Sequence, residues 1–141
     1  MNRIAKARWN GDLKTGKGQL EVGSGAFKGP YSFISRFEGS GDTNPEELLG
    51  AAHAGCFSMA LSLALTMAGH VPTEVATTAT VHLDKVGAAF AITSIDLVTR
   101  GTVPGISAAD FVRLATETKA NCIVSKALAA VPMTLDAQLI G

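Results

Sequence analysis

The sequence predicts an α+β fold in which antiparallel sheets surround one long, central, apolar helix. Three observations carry this prediction. The 22 residues from Leu48 to Gly69 contain no charged side chain. Short segments of alternating polarity, broken by glycines, precede that run, and two longer alternating segments follow it. The 141 residues, 47% of them hydrophobic, suffice for one core and predict a single domain over 1–141.

The part of the chain before the apolar run predicts an antiparallel meander. Its strands are expected over Ile4 to Trp9, Gln19 to Val22 and Tyr31 to Phe37, where polar and apolar residues roughly alternate. Glycines cluster between these segments, as is typical of turns.

The long helix has recognisable start signals. Asn44 is a preferred N-cap residue, Pro45 suits the first helical position, and Glu46 lies where the helix dipole favours negative charge. The helix is therefore expected to begin at Pro45 and to end near Gly69.

A run of this length and polarity can also cross a membrane. We favour a buried helix of a folded domain and expect no membrane partner. The run contains His53, several hydroxyl groups and many small residues, and it lacks flanking basic or aromatic anchors. A helix that is apolar all round needs cover on every side, and this chain has little material to provide it, so a homodimer is expected.

The second half of the chain predicts a hairpin. Val75 to Leu83 and Phe90 to Thr99 alternate in strand fashion, and Gly87 with Ala88 marks the turn between them.

Two helices and a strand are expected to follow the hairpin. The first helix begins near Ser107, which forms a variant capping box with Asp110, and breaks near Asn121. A short helix from about Cys122 to Ala130 comes next. The chain then closes with a strand from Met133 to Leu139.

The net charge and the two cysteines limit the partners, the cellular compartment and the chemistry that this chain is expected to have. Twelve basic and twelve acidic residues give zero net charge, so nucleic acid is not an expected partner. The first residues, MNRIAKARWNGD, lack the apolar core of a secretory signal, which predicts a cytoplasmic protein. In that reducing compartment the thiols of Cys56 and Cys122 are expected to be free, catalytic or transiently bonded.

Cys56, in the middle of the apolar helix, is the candidate nucleophile. An ordinary thiol, with a pKa of about 8.5, is mostly protonated at neutral pH, and apolar burial raises that pKa. A reactive Cys56 therefore needs a cation, and Arg36 in the preceding strand-like segment is the leading candidate. Glu46 is placed to hold that guanidinium, and Glu47 is the competing choice.

Glu46 precedes Cys56 by ten residues, about 15 Å along a straight helix, so the two side chains cannot meet within one helix. If Arg36 and Glu46 act on Cys56, a two-fold dimer is expected to bring them together. The alternatives are inert core cysteines and ordinary surface charges.

His53 lies on the same helix face as Cys56. It is a candidate base, or a ligand in a Cys2His metal site with both thiols, but a hydrogen-bonded core or interface histidine is the favoured interpretation. A pocket for an organic group is a further possibility, with core packing as its alternative. Its candidate lining is Phe33, Phe37, Phe57, Met59 and Met67.

The stretch TNPEELLGAAHAGCF, from Thr43 to Phe57, resembles the signature of the OsmC/Ohr family of osmotically inducible and organic-hydroperoxide-resistance proteins. Four further segments agree with the OsmC branch in order and spacing. These are ARWNGDLKTGKG, YSFISRFEG, HLDKVGAAFAIT and NCIVSKAL.

This resemblance implies an intertwined homodimer and a thiol peroxidase without a metal, haem or flavin cofactor. Cys56 is expected to attack a hydroperoxide as thiolate and become a sulfenic acid, which Cys122 then converts to a disulfide. Arg36, paired with Glu46, is expected to stabilise the thiolate and align the peroxide. An external dithiol, lipoyl or thioredoxin-like, is expected to reduce the disulfide.

The chain departs from the family pattern at two places. Gly55 stands where alanine is common, and Asn121-Cys122-Ile123-Val124 replaces Gly-Cys-Pro-Val. Ile123 restores a backbone donor and loosens the local turn, which affects the rate of disulfide closure more than the reaction class.

The sequence is also compatible with two other classes of function. One is a dimeric binding or structural module that holds a small apolar ligand and has inert thiols. The other is a thiol–disulfide exchanger, which the absence of a C-x-x-C pair disfavours.

Overall fold

The computed structural model describes residues 1–39 and 41–141 and divides them into two compact units, Met1–Leu48 and Leu49–Gly141. Within the described residues the chain forms two three-stranded sheets and four helices. The predicted α+β class is confirmed. That the two units form a single domain stays a prediction.

The first unit contains an antiparallel meander of β1 (Ala5–Asn10), β2 (Lys17–Val22) and β3 (Lys28–Tyr31). Gly18 of β2 pairs with Trp9 on one side and Tyr31 on the other. The two aromatic rings lie 5.4 Å apart between centroids, and a Cβ at Gly18 would overlap both. Glycine is therefore required where the rings meet.

The strand predicted over Tyr31 to Phe37 is wrong after its first residue, because Phe33–Phe37 is a short helix, α1. The cause is a capping box. The Ser35 amide donates to Ser32 Oγ at 3.1 Å, and the Ser32 amide donates to Ser35 Oγ at 2.8 Å. These bonds favour a helical turn over the strand that the alternating pattern predicts, and they place Arg36 on a helix.

The long helix, α2, spans Pro45–Met67 and begins where the sequence predicts. Asn44 caps it, since its Oδ1 accepts a hydrogen bond of 2.8 Å from the Glu47 amide. By length and composition alone, α2 is also the one described helix that is long and apolar enough to cross a membrane.

Two faces of α2 differ in their surroundings. Phe57, Leu61 and Leu65, spaced by four residues, are fully buried in the core of the second unit. Met59, Leu63 and Met67, equally spaced, are 77%, 61% and 80% exposed. The second set forms an apolar stripe, Met59–Leu63–Met67, that no part of the described chain covers.

The second sheet is formed by β4 (Glu74–Val86), β5 (Ala89–Thr102) and β6 (Met133–Leu139), in that order. The predicted hairpin of β4 and β5 is confirmed, with its turn at Gly87 and Ala88. β6 lies parallel to β5, unlike the antiparallel pairing expected throughout. The connection between them passes through two helices, which gives the crossover that a parallel pair needs.

Those helices are α3 (Ala108–Asn121) and α4 (Ile123–Ala127). Ser107 caps α3 by accepting a 3.1 Å hydrogen bond from the Asp110 amide, as predicted. Cys122 separates the helices, ending α3 and serving as N-cap position of α4. The core of this unit consists of Phe57, Leu61, Leu65, Ile95, Leu97, Val103, Ile106, Phe111, Leu114, Ala115 and Cys122.

Candidate active site

The two thiols meet although 66 positions separate them in the sequence. Cys56 lies in the middle of α2, and Cys122 lies at the break between α3 and α4. Their sulfurs are 3.1 Å apart, and both residues are free thiols. Cys122 is only 1% exposed, whereas Cys56 is half-buried. The pair therefore has one sulfur open to small molecules and one enclosed beside it.

The surroundings act differently on the two sulfurs. Burial raises the pKa of Cys56, and the neighbouring Cys122 adds to this effect. Burial also opposes ionisation of Cys122, but the Ser125 amide, the Cys56 thiol and the Ser125 hydroxyl together hold the pKa of Cys122 below its ordinary value. Within this unit the negative charge is thus favoured on Cys122, whereas the sequence predicts it on Cys56.

Arg36 and Glu46 form a second pair, in the first unit. Nε and Nη2 of Arg36 both donate to Glu46 Oε1, at 3.1 Å and 2.9 Å. The Glu46 side chain is 8% exposed and that of Arg36 is 42% exposed. The guanidinium also lies 5.3 Å from the ring centroid of Phe37. The carboxylate thus fixes an arginine that solvent still reaches.

The competing acid, Glu47, is bound elsewhere. Its Oε1 accepts a 2.9 Å hydrogen bond from Thr43 Oγ1. The structure therefore pairs Arg36 with Glu46. Glu46 Oε2 is buried and has no hydrogen-bond partner among residues 1–39 and 41–141.

Each predicted pair lies within one unit, Arg36 with Glu46 in the first and Cys56 with Cys122 in the second. Glu46 occupies the first turn of α2 and Cys56 its middle. The catalytic roles of these four residues stay predictions.

His53 is fully buried and turns its Nε2 toward Ser125 Oγ, at 2.8 Å. Its Nδ1 has no partner among the described residues. Burial lowers the pKa of His53, which keeps the ring neutral near pH 7. Nor do the described residues assemble three potential metal ligands at this or any other place.

Ser125 is the member of this site that the sequence analysis missed. A signal was present, because Ser125 follows Cys122 by three residues, just as His53 precedes Cys56 by three. The equal spacing brings Ser125 to His53 only because α2 and α4 are in contact in the fold.

A cleft of about 260 Å³ opens beside Cys122. Of the five apolar residues predicted to line a pocket, Met67 lines this cleft, while Phe57 belongs to the core. Phe33 and Phe37 pack on each other with centroids 5.0 Å apart. The cleft is lined by Ala60, Leu63, Ala64, Met67, Glu117, Thr118, Asn121 and Cys122.

A family model and individual protein sequences both relate this chain to the same family. Residues 38–136 match the family model described as OsmC-like protein. A protein of Escherichia coli strain K12 named peroxiredoxin OsmC is 53% identical over 140 residues, which cover 99% of this chain and 97% of that protein. The peroxiredoxin OsmC of Shigella flexneri matches equally well.

Solved structures share the fold at lower sequence identity. An organic hydroperoxide resistance protein OsmC of Legionella pneumophila superposes with a TM-score of 0.73 at 23% identity, covering 98% of this chain and 97% of its own. OhrB of Bacillus subtilis gives 0.75 at 22% identity, covering 96% and 98%. An OsmC like protein of Mycoplasma pneumoniae gives 0.76 at 12% identity, covering 100% and 99%.

Proposed function

This chain belongs to the OsmC family, and we propose that it is a thiol peroxidase that reduces organic hydroperoxides, with hydrogen peroxide as a second substrate. The relatives at 53% identity are named peroxiredoxin, which supports the reaction class. The observation that carries the mechanism is the 3.1 Å separation between the sulfurs of Cys56 and Cys122.

In the proposed reaction Cys56 attacks the hydroperoxide because it is the more accessible sulfur. Its thiolate bonds to the terminal oxygen and the O–O bond breaks. The alkoxide that leaves takes a proton and becomes an alcohol, and Cys56 becomes a sulfenic acid.

Cys122 then attacks the oxidised sulfur and releases water. A disulfide needs a sulfur separation of about 2.05 Å. The two side chains, already in contact, therefore need to approach by only about an ångström. We propose that a lipoyl or thioredoxin-like dithiol in the cytoplasm returns the enzyme to its reduced form.

We assign Arg36 and Glu46 to the same reaction, acting across a homodimer. The raised pKa of Cys56 calls for a cation, and Arg36 is charged, fixed by Glu46 and reached by solvent. In the proposed dimer, Arg36 of the partner subunit stabilises the Cys56 thiolate and aligns the peroxide. The uncovered Met59–Leu63–Met67 stripe supports the dimer.

Thiol counting tests the proposal. Reduced protein is mixed with cumene or tert-butyl hydroperoxide, and two thiols per chain are expected to disappear without crosslinks between chains. In Cys122→Ser a sulfenic-acid probe is expected to label Cys56, and Cys56→Ser is expected to consume no peroxide.

Two results would contradict the proposal. Normal peroxide consumption by both single variants would exclude the thiols from the reaction. Two thiols that survive an excess of peroxide in the wild-type protein would favour the binding module with inert thiols.

A further inference from the structure

The buried contact between His53 and Ser125 lies one helical turn from the pair of thiols. His53 precedes Cys56 by three residues on α2, and Ser125 follows Cys122 by three residues on α4. The two helices therefore meet at two adjacent points, with 3.1 Å between the sulfurs and 2.8 Å between His53 Nε2 and Ser125 Oγ. The second contact fixes the position of α4, and with it Cys122, on α2.

The unpartnered nitrogen of His53 decides the direction of this hydrogen bond. A neutral imidazole carries one N–H. If that hydrogen were on Nδ1, a buried donor would have no acceptor among the described residues, and unpaired buried donors are rarer in proteins than unpaired acceptors. We therefore assign the hydrogen to Nε2, which donates to Ser125 Oγ.

This assignment leaves the Ser125 hydroxyl hydrogen free to donate in turn. Ser125 lies one helical turn after Cys122 at the start of α4, so its hydroxyl and the Cys122 sulfur lie on the same side of that turn. Burial opposes ionisation of Cys122, and the Ser125 amide and hydroxyl are among the groups that lower its pKa. Other titratable groups near Cys122 are Cys56 and Glu117, which lines the same cleft and is held by Arg113 at 3.1 Å. Lys119 and Lys126 line a different cleft together with Ser125, and Lys119 donates to the Met133 carbonyl at 3.4 Å. The pKa of Cys122 is lowered by hydrogen-bond donors, those of Ser125 among them, and not by a cation.

We propose that Ser125 donates its hydroxyl hydrogen to the Cys122 sulfur and holds it as the resolving thiolate, and that His53 is the positioning residue that orients Ser125. This rests on the proposed function, because only a peroxidase requires Cys122 to attack a sulfenic acid. In that step the S–O bond of Cys56 breaks and the S–S bond forms. The leaving hydroxide takes one proton, equal to the proton that Cys122 gave up, so water forms and no further reactant is consumed.

The first test measures Cys122 without any peroxide. In a Cys56→Ser background Cys122 is the lone thiol. Its alkylation by iodoacetamide, which reaches the sulfur through the cleft that Cys122 lines, is followed from pH 5 to 10, and each rate is divided by its plateau at high pH so that differences in access cancel. Adding Ser125→Ala is expected to lower the rate at pH 7 roughly tenfold, since a hydrogen bond to a charged group is lost. Ser125→Thr, which retains a hydroxyl, is expected to keep the rate within about twofold.

His53 is tested in the same background. His53→Phe removes the donor and keeps an aromatic ring, and it is expected to slow alkylation in the same direction as Ser125→Ala. His53→Gln retains an N–H donor and is expected to restore part of the rate. Ser58→Ala, on α2 but hydrogen-bonded to Thr77, is the matched control and is expected to leave the profile unchanged.

The second test separates the two steps of the reaction. With both cysteines present, Ser125→Ala is expected to form the Cys56 sulfenic acid at the wild-type rate and to close the disulfide roughly tenfold more slowly.

The proposal is overturned if Ser125→Ala and His53→Phe both fold, as judged by circular dichroism, and both keep the parental alkylation profile. A shifted profile in a protein that does not consume peroxide would instead overturn the proposed function and leave the role of Ser125 toward Cys122 intact.

Discussion

At the scale of single residues, the two thiols behave differently because their neighbours differ. Burial raises the pKa of Cys56, whereas the amide and hydroxyl of Ser125 help to lower that of Cys122. The sequence alone does not show which of the two cysteines has the lower pKa. The difference arises because Cys122 is followed by the first turn of α4, which contains Ser125, whereas Cys56 lies in the middle of α2.

The pair of Arg36 and Glu46 gives a prediction at this scale. Glu46→Gln keeps the shape of the side chain and removes its charge, so the bonds from Arg36 to Oε1 become weaker. We expect Cys56 to be oxidised by tert-butyl hydroperoxide about tenfold more slowly, measured by stopped-flow as loss of thiol, which corresponds to about 1.4 kcal/mol in activation free energy.

Glu47→Gln is the matched control, because Glu47 lies in the same turn and binds Thr43 instead. We expect this variant to oxidise within twofold of the wild type. Equal oxidation rates for Glu46→Gln and the wild type would show that Glu46 has no role in the oxidation of Cys56.

At the scale of helices and strands, the sequence predicted the elements with long, regular patterns. The bounds of α2 and β6 and the hairpin turn agree with the structure because many residues contribute to each pattern. α1 was missed because two hydrogen bonds between Ser32 and Ser35 determine it. The parallel pairing of β6 was missed because it depends on how α3 and α4 carry the chain across the sheet.

Packing of α3 on β5 depends on a glycine. Gly101 lies on β5, and a Cβ at this position would overlap the ring of Phe111, which is fully buried. We expect Gly101→Ala to lower the free energy of unfolding by about 1–3 kcal/mol, because the ring has little room to move. Urea denaturation followed by circular dichroism measures the change.

Gly55→Ala is the matched control for that measurement. Gly55 lies within α2, and a Cβ there meets no atom within 4 Å. Since alanine favours a helix more than glycine does, we expect the free energy of unfolding to rise by about 0.5–1 kcal/mol. Similar losses in both variants would show that the ring of Phe111 is not the cause.

At the scale of the whole molecule, the Met59–Leu63–Met67 stripe predicts self-association. Exposed apolar side chains aligned in this way are typical of an interface between proteins. We expect the wild-type protein to sediment as a dimer. Leu63→Asp is expected to weaken the dimer by about 100-fold or more, because the new carboxylate would be buried without a partner.

Val112→Asp is the control for sedimentation, because Val112 is an exposed apolar residue on α3. We expect it to leave the dimer intact. A wild-type monomer at micromolar concentration would contradict both the dimer and the proposed supply of Arg36 by the partner subunit.

The site was predictable only in part from the sequence. The residues alone made Cys56, Arg36 and either Glu46 or Glu47 candidates, and the resemblance to the family favoured Glu46 and gave Cys122 its role. The structure brings the selected residues together in pairs. The role of Ser125 could not be predicted from the sequence, since it depends on the register between α2 and α4. These helices are far apart in the chain and meet only in the fold.

In the proposed reaction cycle, the unequal exposure of the two sulfurs also predicts the order of events after oxidation. Once the disulfide has formed, we expect an incoming dithiol to attack the sulfur of Cys56, since Cys122 is almost fully buried. The mixed disulfide would then form on Cys56, and Cys122 would leave first. A thiol of low pKa is a good leaving group, so the environment of Cys122 is expected to assist regeneration of the reduced protein as well.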